Sequence, residues 1–153
     1  MKILMVCLGN ICRSPMAEGI MRQKIDKYKL NADVNSKGTA NYHVGQTPDP
    51  RAIQTLKKYK IDISKHFGQQ FIVADFDNYD FIYAMDESNL KNLFALARNE
   101  NDRAKVKLML DESFPNQQKI VPDPYYGSLY DFEDTYKLID QACENLANRL
   151  AEK

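Results

Sequence analysis

Only three cysteines and two histidines occur in these 153 residues, and neither sign of charge prevails: 21 Lys and Arg stand against 21 Asp and Glu. So few cysteines in a chain this long exclude a disulfide scaffold and fit a reducing compartment, which makes the cytoplasm the expected location. Cys7, Cys12, His43 and His66 match no familiar zinc spacing, and neither a metal nor a cofactor is expected. Balanced charge gives no reason to expect nucleic acid or a membrane surface as a partner. No apolar run is long enough to span a bilayer. No signal peptide is expected either, because Met1-Lys2 leads straight into a short apolar strand. What remains is a globular composition with the length for a substantial core, read as one domain over 1–153. Attraction for an anion has to come from local dipoles and single side chains.

Apolar periodicity alternates between two kinds of segment. Ile3-Leu-Met-Val6 is a continuous apolar run, as is Phe81-Ile-Tyr-Ala-Met85, and both read as strands of a parallel sheet covered on both faces. Further strands are expected near 33–38 and over 106–110. Ala17, Ile20, Met21, Ile25 and Tyr28 recur at helical spacing over 14–28. Pro48-Asp49-Pro50 opens a helix carrying Ile53, Leu56 and Tyr59 on one face. Another helix is expected over 87–98, and a last one over about 131–151 with Tyr136, Ile139, Cys143, Leu146 and Leu150 inward. No repeat or linker interrupts the pattern, which gives a three-layer α/β fold.

The chemistry concentrates where the first strand gives way to the first helix, in Cys7-Leu8-Gly9-Asn10-Ile11-Cys12-Arg13-Ser14. Backbone N–H groups of a tight loop and a helix N-terminus converge on one point, which favours an anion there and favours thiolate over thiol at Cys7. Arg13 adds a planar fork that can hold two phosphoryl oxygens. Gly9 is expected to take a conformation that a side chain forbids, and Asn10 to tolerate the left-handed region. Ser14 is expected as the N-cap, with Pro15 in the first helical position, and its hydroxyl can donate to the Cys7 sulfur. The plain alternative is a buried structural cysteine before an ordinary helix. A Cys-x5-Arg spacing alone is weak, and its place between a strand and a Ser-Pro helix start favours a nucleophile attacking a phosphate ester. Asp123, fixed between Pro122 and Pro124, is a candidate acid, although an aspartate between prolines is commonly just a turn residue.

Val6-Cys-Leu-Gly-Asn-Ile-Cys-Arg-Ser-Pro-Met-Ala-Glu18 resembles the signature of the low-molecular-weight protein tyrosine phosphatases. Asp123-Pro-Tyr-Tyr-Gly127 is similar to the general-acid loop of that family. Gly38-Thr-Ala-Asn-Tyr42 through Gly45, Pro48-Asp-Pro-Arg51 and Tyr83-Ala-Met-Asp-Glu-Ser-Asn89 are family-like too. The resemblance implies a phosphotyrosine phosphatase I-like fold with strand order 2-1-3-4, Cys7, Arg13 and Asp123 as catalytic residues, and a phosphocysteine intermediate. It implies substrate contacts from Leu8, Gly9, Asn10, Ile11, Cys12 and Ser14. Ser36 and His66 are then expected to brace Asn10 from behind, with a surface histidine as the equal alternative for His66. The resemblance also implies a reversible Cys7–Cys12 disulfide, with a small buried loop residue as the alternative for Cys12.

Ile11, Tyr42, Tyr125 and Tyr126 would rim a slot for a flat ring, which favours phosphotyrosine over phosphoserine. Relatives that act on phosphoarginine carry threonine where this chain has Ile11. Arsenate reductases share the fold but need further cysteines mid-chain, and residues 75–100 contain none. A binding module without turnover needs neither nucleophile nor acid. Expected partners are phosphotyrosine proteins or small aryl phosphates and a cognate tyrosine kinase, with the chain a monomer. Arg51 is expected to pair at the surface, and Asp86 has no assigned role.

Overall fold

β1 (Lys2–Cys7) runs through the interior of a four-stranded parallel sheet. β2 (Asp33–Gly38) pairs with it on one side and β3 (Phe81–Ala84) on the other, and β4 (Val106–Leu108) lies outside β3. The order β2-β1-β3-β4 is the one the resemblance implies. The structure is a computed structural model and describes residues 1–152.

The alternation of β1 explains its unbroken apolar sequence. Ile3 and Met5 face one core, with α1 (Arg13–Lys27) and α6 (Leu129–Ala151), while Leu4 and Val6 face a second core with Phe76, Ile82 and Leu93 under α4 (Glu87–Leu96). Both faces are covered, so neither kind of position is free to be polar. The expected stripes hold: Ala17, Ile20, Met21 and Ile25 on α1 and Ile139, Cys143 and Leu146 on α6 are buried, with Tyr28, Tyr136 and Leu150 at the margin of the same core. α2 (Pro50–Lys57) is capped by Asp49, which accepts from the Arg51 N–H at 2.8 Å. Tyr59 lies past its end and stacks on Tyr136 with ring centroids 3.7 Å apart.

Several expected boundaries shift. The strand expected over 106–110 stops at Leu108, and Met109–Glu112 form a 3₁₀ turn whose apolar residues stay buried. An apolar run marks burial and cannot say where the ladder ends. The helix expected over 87–98 ends at Leu96, and Ala97 is extended. Two short helices, α3 (Asp75–Asn78) and α5 (Glu100–Ala104), are too brief to show a period in the sequence.

α1 begins at Arg13 rather than after Ser14, with Cys12 in the cap position and no side-chain cap. Ser14 is therefore not the N-cap, because its hydroxyl is engaged with the preceding loop. Pro15 is the third helical residue rather than the first, and within that first turn N–H groups have no intrahelical acceptor, so its lack of one costs nothing. β1 has its partners on opposite sides joined through different connections, so the sheet opens a crevice at its carboxyl end. Cys7 is the last residue of β1.

Candidate active site

Asn10 organises the turn between β1 and α1. Its backbone is left-handed, with φ 59°, and its N–H points at Cys7 Sγ, 3.3 Å away. The Gln69 N–H, which can only donate, lies 3.0 Å from Asn10 Oδ1 and so fixes the orientation of the amide. Asn10 Nδ2 then donates to Ser14 Oγ at 2.8 Å and to Ser36 Oγ at 3.0 Å. His66 Nε2 is 3.0 Å from the same Oδ1, so that nitrogen carries the ring hydrogen. Ser36 passes its own hydrogen to Glu18 Oε1 at 2.8 Å. Ser14 Oγ, which accepts from Asn10, lies 3.0 Å from Cys7 Sγ and 3.5 Å from the Lys37 carbonyl. The Ser14 hydroxyl and the Asn10 N–H thus both reach the sulfur.

The second cysteine of the loop is placed differently. Burial, and after it the nearby carboxylate of Asp49, push the Cys12 thiol well above its ordinary range. Cys7 and Cys12 are both free thiols, as is Cys143 in the core. Burial also pushes the His66 imidazole below its ordinary 6.5, while Glu18, with Oε1 3.6 Å from Nδ1, works against that shift.

Arg13 is almost wholly buried, and half of its fork belongs to the scaffold. Nη1 donates to Asp86 Oδ2 at 2.7 Å and to the Val121 carbonyl at 2.8 Å. Asp86 is the N-cap of α4 and accepts the Asn89 N–H at 2.8 Å. The Val121 N–H donates to Met85 O at 2.8 Å. Asp86, at the start of α4, and Val121, in the segment before α6, therefore orient Arg13 from parts of the chain far apart in sequence. Nη2 is 3.8 Å from Asp123 Oδ2, and Asp123 Oδ1 accepts the Tyr125 N–H at 3.1 Å.

These groups surround a cavity of about 210 Å³. Cys7, Leu8, Gly9, Ile11, Cys12 and Arg13 form its floor, Tyr42 and His43 one rim, and Asp123, Tyr125 and Tyr126 the other. All three expected catalytic residues meet here, as do the four expected to rim the slot, of which Ile11 lies in the floor. Two expected substrate contacts do not: the Asn10 and Ser14 side chains lie buried behind the loop, where they serve the network. Ser36 and His66 are there too, as expected. Gly9 needs space rather than conformational freedom, since its φ is not positive and a Cβ would meet His43 Cδ2 at 2.9 Å.

Sequence reasoning missed four contributors. His43 closes over Gly9, and nothing local marked it. Gly38 lies beneath the loop, where a Cβ would sit 2.7 Å from Leu8 O. Glu18 was visible in principle, four positions after Ser14 and so on the same helix face. Arg51 does not simply pair at the surface: besides Asp49 it binds the carbonyls of Tyr125 and Gly127.

Comparison with known proteins agrees with this geometry. The family model described as low molecular weight phosphotyrosine protein phosphatase matches residues 2–153. The chain is 42% identical over 153 residues to the protein of that description from Schizosaccharomyces pombe, with 98% of this chain and 97% of that one covered. It is 39% identical over 144 residues to the human one, with 92% and 90% covered. A crystal structure of a protein tyrosine phosphatase from Entamoeba histolytica, with Hepes in its active site, superposes with a TM-score of 0.93 at 37% identity, covering 99% of this chain and 97% of that one.

Proposed function

The chain belongs to the low molecular weight phosphotyrosine protein phosphatase family, and from that premise we propose that it hydrolyses phosphotyrosine through a phosphocysteine on Cys7. The observation that carries this reading is the convergence of the Asn10 N–H and the Ser14 hydroxyl on Cys7 Sγ, with Arg13 and Asp123 bordering the same cavity. In the first step Cys7 Sγ attacks phosphorus. The S–P bond forms as the bond to the tyrosyl oxygen breaks, and Asp123 gives that oxygen its proton. In the second step water attacks the phosphocysteine, Asp123 takes a proton from it, the S–P bond breaks and inorganic phosphate leaves. The loop N–H groups and the side of Arg13 not bound to Asp86 stabilise the equatorial oxygens in both steps.

The rim supports an aromatic ester. Tyr42, Tyr125 and Tyr126 offer ring surface at the mouth and Ile11 offers aliphatic surface below them, which suits a phosphotyrosine ring or a small aryl phosphate. A phosphoserine is too short to fill the slot from mouth to floor. Ile11 offers no hydroxyl to position a guanidinium, which disfavours phosphoarginine. Residues 75–100 contain no cysteine to continue an arsenate reductase relay. We place the enzyme in the cytoplasm as one domain over 1–153, a monomer acting on phosphotyrosine proteins opposite a tyrosine kinase. No helix among the described residues is long and apolar enough to cross a membrane.

The test is turnover of phosphotyrosine, phosphoserine and phosphoarginine peptides in a metal chelator, with Cys7→Ser alongside. Phosphotyrosine should be hydrolysed preferentially, chelation should not matter, and the variant should be inactive. Absence of turnover with freshly reduced protein would overturn the reading in favour of a binding module.

A further inference from the structure

Arg51 is the second residue of α2, and its guanidinium ties together three parts of the chain. Nε and Nη2 grip the two oxygens of Asp49 at 3.0 and 2.8 Å. Nη2 also donates to the Tyr125 carbonyl at 2.7 Å, and Nη1 to the Gly127 carbonyl at 3.0 Å. Its carbon lies 4.6 Å from the Phe132 ring centroid and 5.7 Å from that of Tyr125, so the rings hold its plane. The Asp49 N–H donates in turn to Ile11 O at 2.8 Å, on the floor of the cavity.

The placement bears on one carboxyl. Tyr125 gives its carbonyl to Arg51 and its N–H to Asp123 Oδ1. Fixing the first therefore orients the second. At its other end the loop is anchored at Val121, between Met85 O and Arg13. Among the described residues no other hydrogen bond from outside reaches 122–127. Lys would keep the charge but lacks the fork that grips Asp49 and two carbonyls at once.

We propose that Arg51 is a positioning residue for Asp123, holding the 123–127 segment against the cavity floor so that the carboxyl meets the leaving oxygen. The proposal rests on the reading of Asp123 as general acid given above. A positioned acid matters most when the leaving phenoxide is strongly basic and least when it leaves unaided.

The experiment measures kcat and KM on a series of aryl phosphates with leaving phenols of increasing basicity, for the unaltered protein, Asp123→Ala, Arg51→Ala, Arg51→Lys and the Arg51→Ala/Asp123→Ala pair. Arg51→Ala should lower kcat/KM, which ends with departure of the phenol and so excludes the second step, by about tenfold or more on phosphotyrosine, part of the 10²–10⁴ available to a general acid, and least on the most acidic phenol; the comparisons below are of kcat/KM. The double variant should be no slower than Asp123→Ala, because both substitutions remove one function. Arg51→Lys should share the steeper dependence on the leaving group, and it serves as the readout if Arg51→Ala fails to fold. A loss in both Arg51 variants that is uniform across the series, or additive to that of Asp123→Ala, would overturn the role of Arg51 while leaving Asp123 intact. An Asp123→Ala series with no dependence on the leaving group would instead overturn the general-acid reading itself, and this proposal with it.

Discussion

The loop from Cys7 to Ser14 is buried over most of its length, while the segment from Pro122 to Gly127 that faces it across the cavity is mostly exposed. In the first, every hydrogen-bonding atom of the Asn10 side chain is engaged. In the second, the Asp123 side chain is 40% exposed, and the segment is held by its Val121 base and by Arg51. The contrast follows from the two tasks. An anion site must present its dipoles already oriented, so that none has to reorganise when charge arrives. An acid must reach a leaving group that enters and departs through the mouth. Changes in the first loop should therefore cost stability and activity together, and changes in the second activity alone.

The largest expected effect uses one residue from each side. Cys7→Ser should remove turnover, on the order of 10⁵-fold or more. Asp123→Asn should cost about 10²–10⁴-fold while shifting unfolding by no more than about 0.5 kcal/mol, as an exposed side chain should. An Asp123→Asn protein much less stable than that would break the comparison.

Asn10→Ala is the counterpart on the buried side. It leaves Ser14, Ser36, His66 and the Gln69 N–H without their shared partner and places alanine at φ 59°. Urea unfolding should show a loss of about 3 kcal/mol, and kcat should fall because the Ser14 hydroxyl is no longer aimed at Cys7.

Gly38→Ala presses on the same loop from beneath. The new Cβ would lie 2.7 Å from Leu8 O and 3.1 Å from the Asn10 nitrogen, both backbone. Overpacking of this kind costs about 1–3 kcal/mol, and amide shifts in an NMR spectrum should concentrate at residues 8–10.

The smallest effect is a pH dependence. Burial holds His66 below its ordinary 6.5 in the folded chain, so the unfolded chain takes up its proton first as pH falls. That contribution to stability is complete above 6.5 and is lost as pH drops toward the folded value. His66→Gln keeps a donor for Asn10 and cannot titrate. Denaturation of both proteins at pH 7.5 and 5.5 should show the smaller acid loss in the variant; an equal loss would mean that His66 is not held neutral by burial.

Legibility followed the same divide. The strand-loop-helix of Cys7 to Arg13 was readable because its parts lie within one turn of chain and each residue type has a local reason. Its internal detail is less legible: Ser14 looks like a cap and Gly9 like a strained turn. Both readings considered only the backbone at those positions, whereas the Cys7 sulfur and the His43 ring decide them. Asp123 was weak on its spacing alone and was identified through resemblance. The sequence assigns Asp86 no role and Arg51 only a surface pair, since an N-capping aspartate and a helix-start arginine look alike whether or not they also serve a distant loop.

The sequence by itself determined an alternation of buried strands and amphipathic helices and a cysteine where an anion-binding loop must begin. Those are properties of period and of local backbone preference, which a chain carries before it folds. Only the tertiary structure decided that Asp86 and Val121 hold half of the Arg13 fork, that Gly38 leaves room beneath Leu8, and that Arg51 reaches a segment 74 to 76 positions away. A hydrogen bond across such a span leaves no period and no composition behind it, because its geometry exists only once the sheet has brought both ends to one edge.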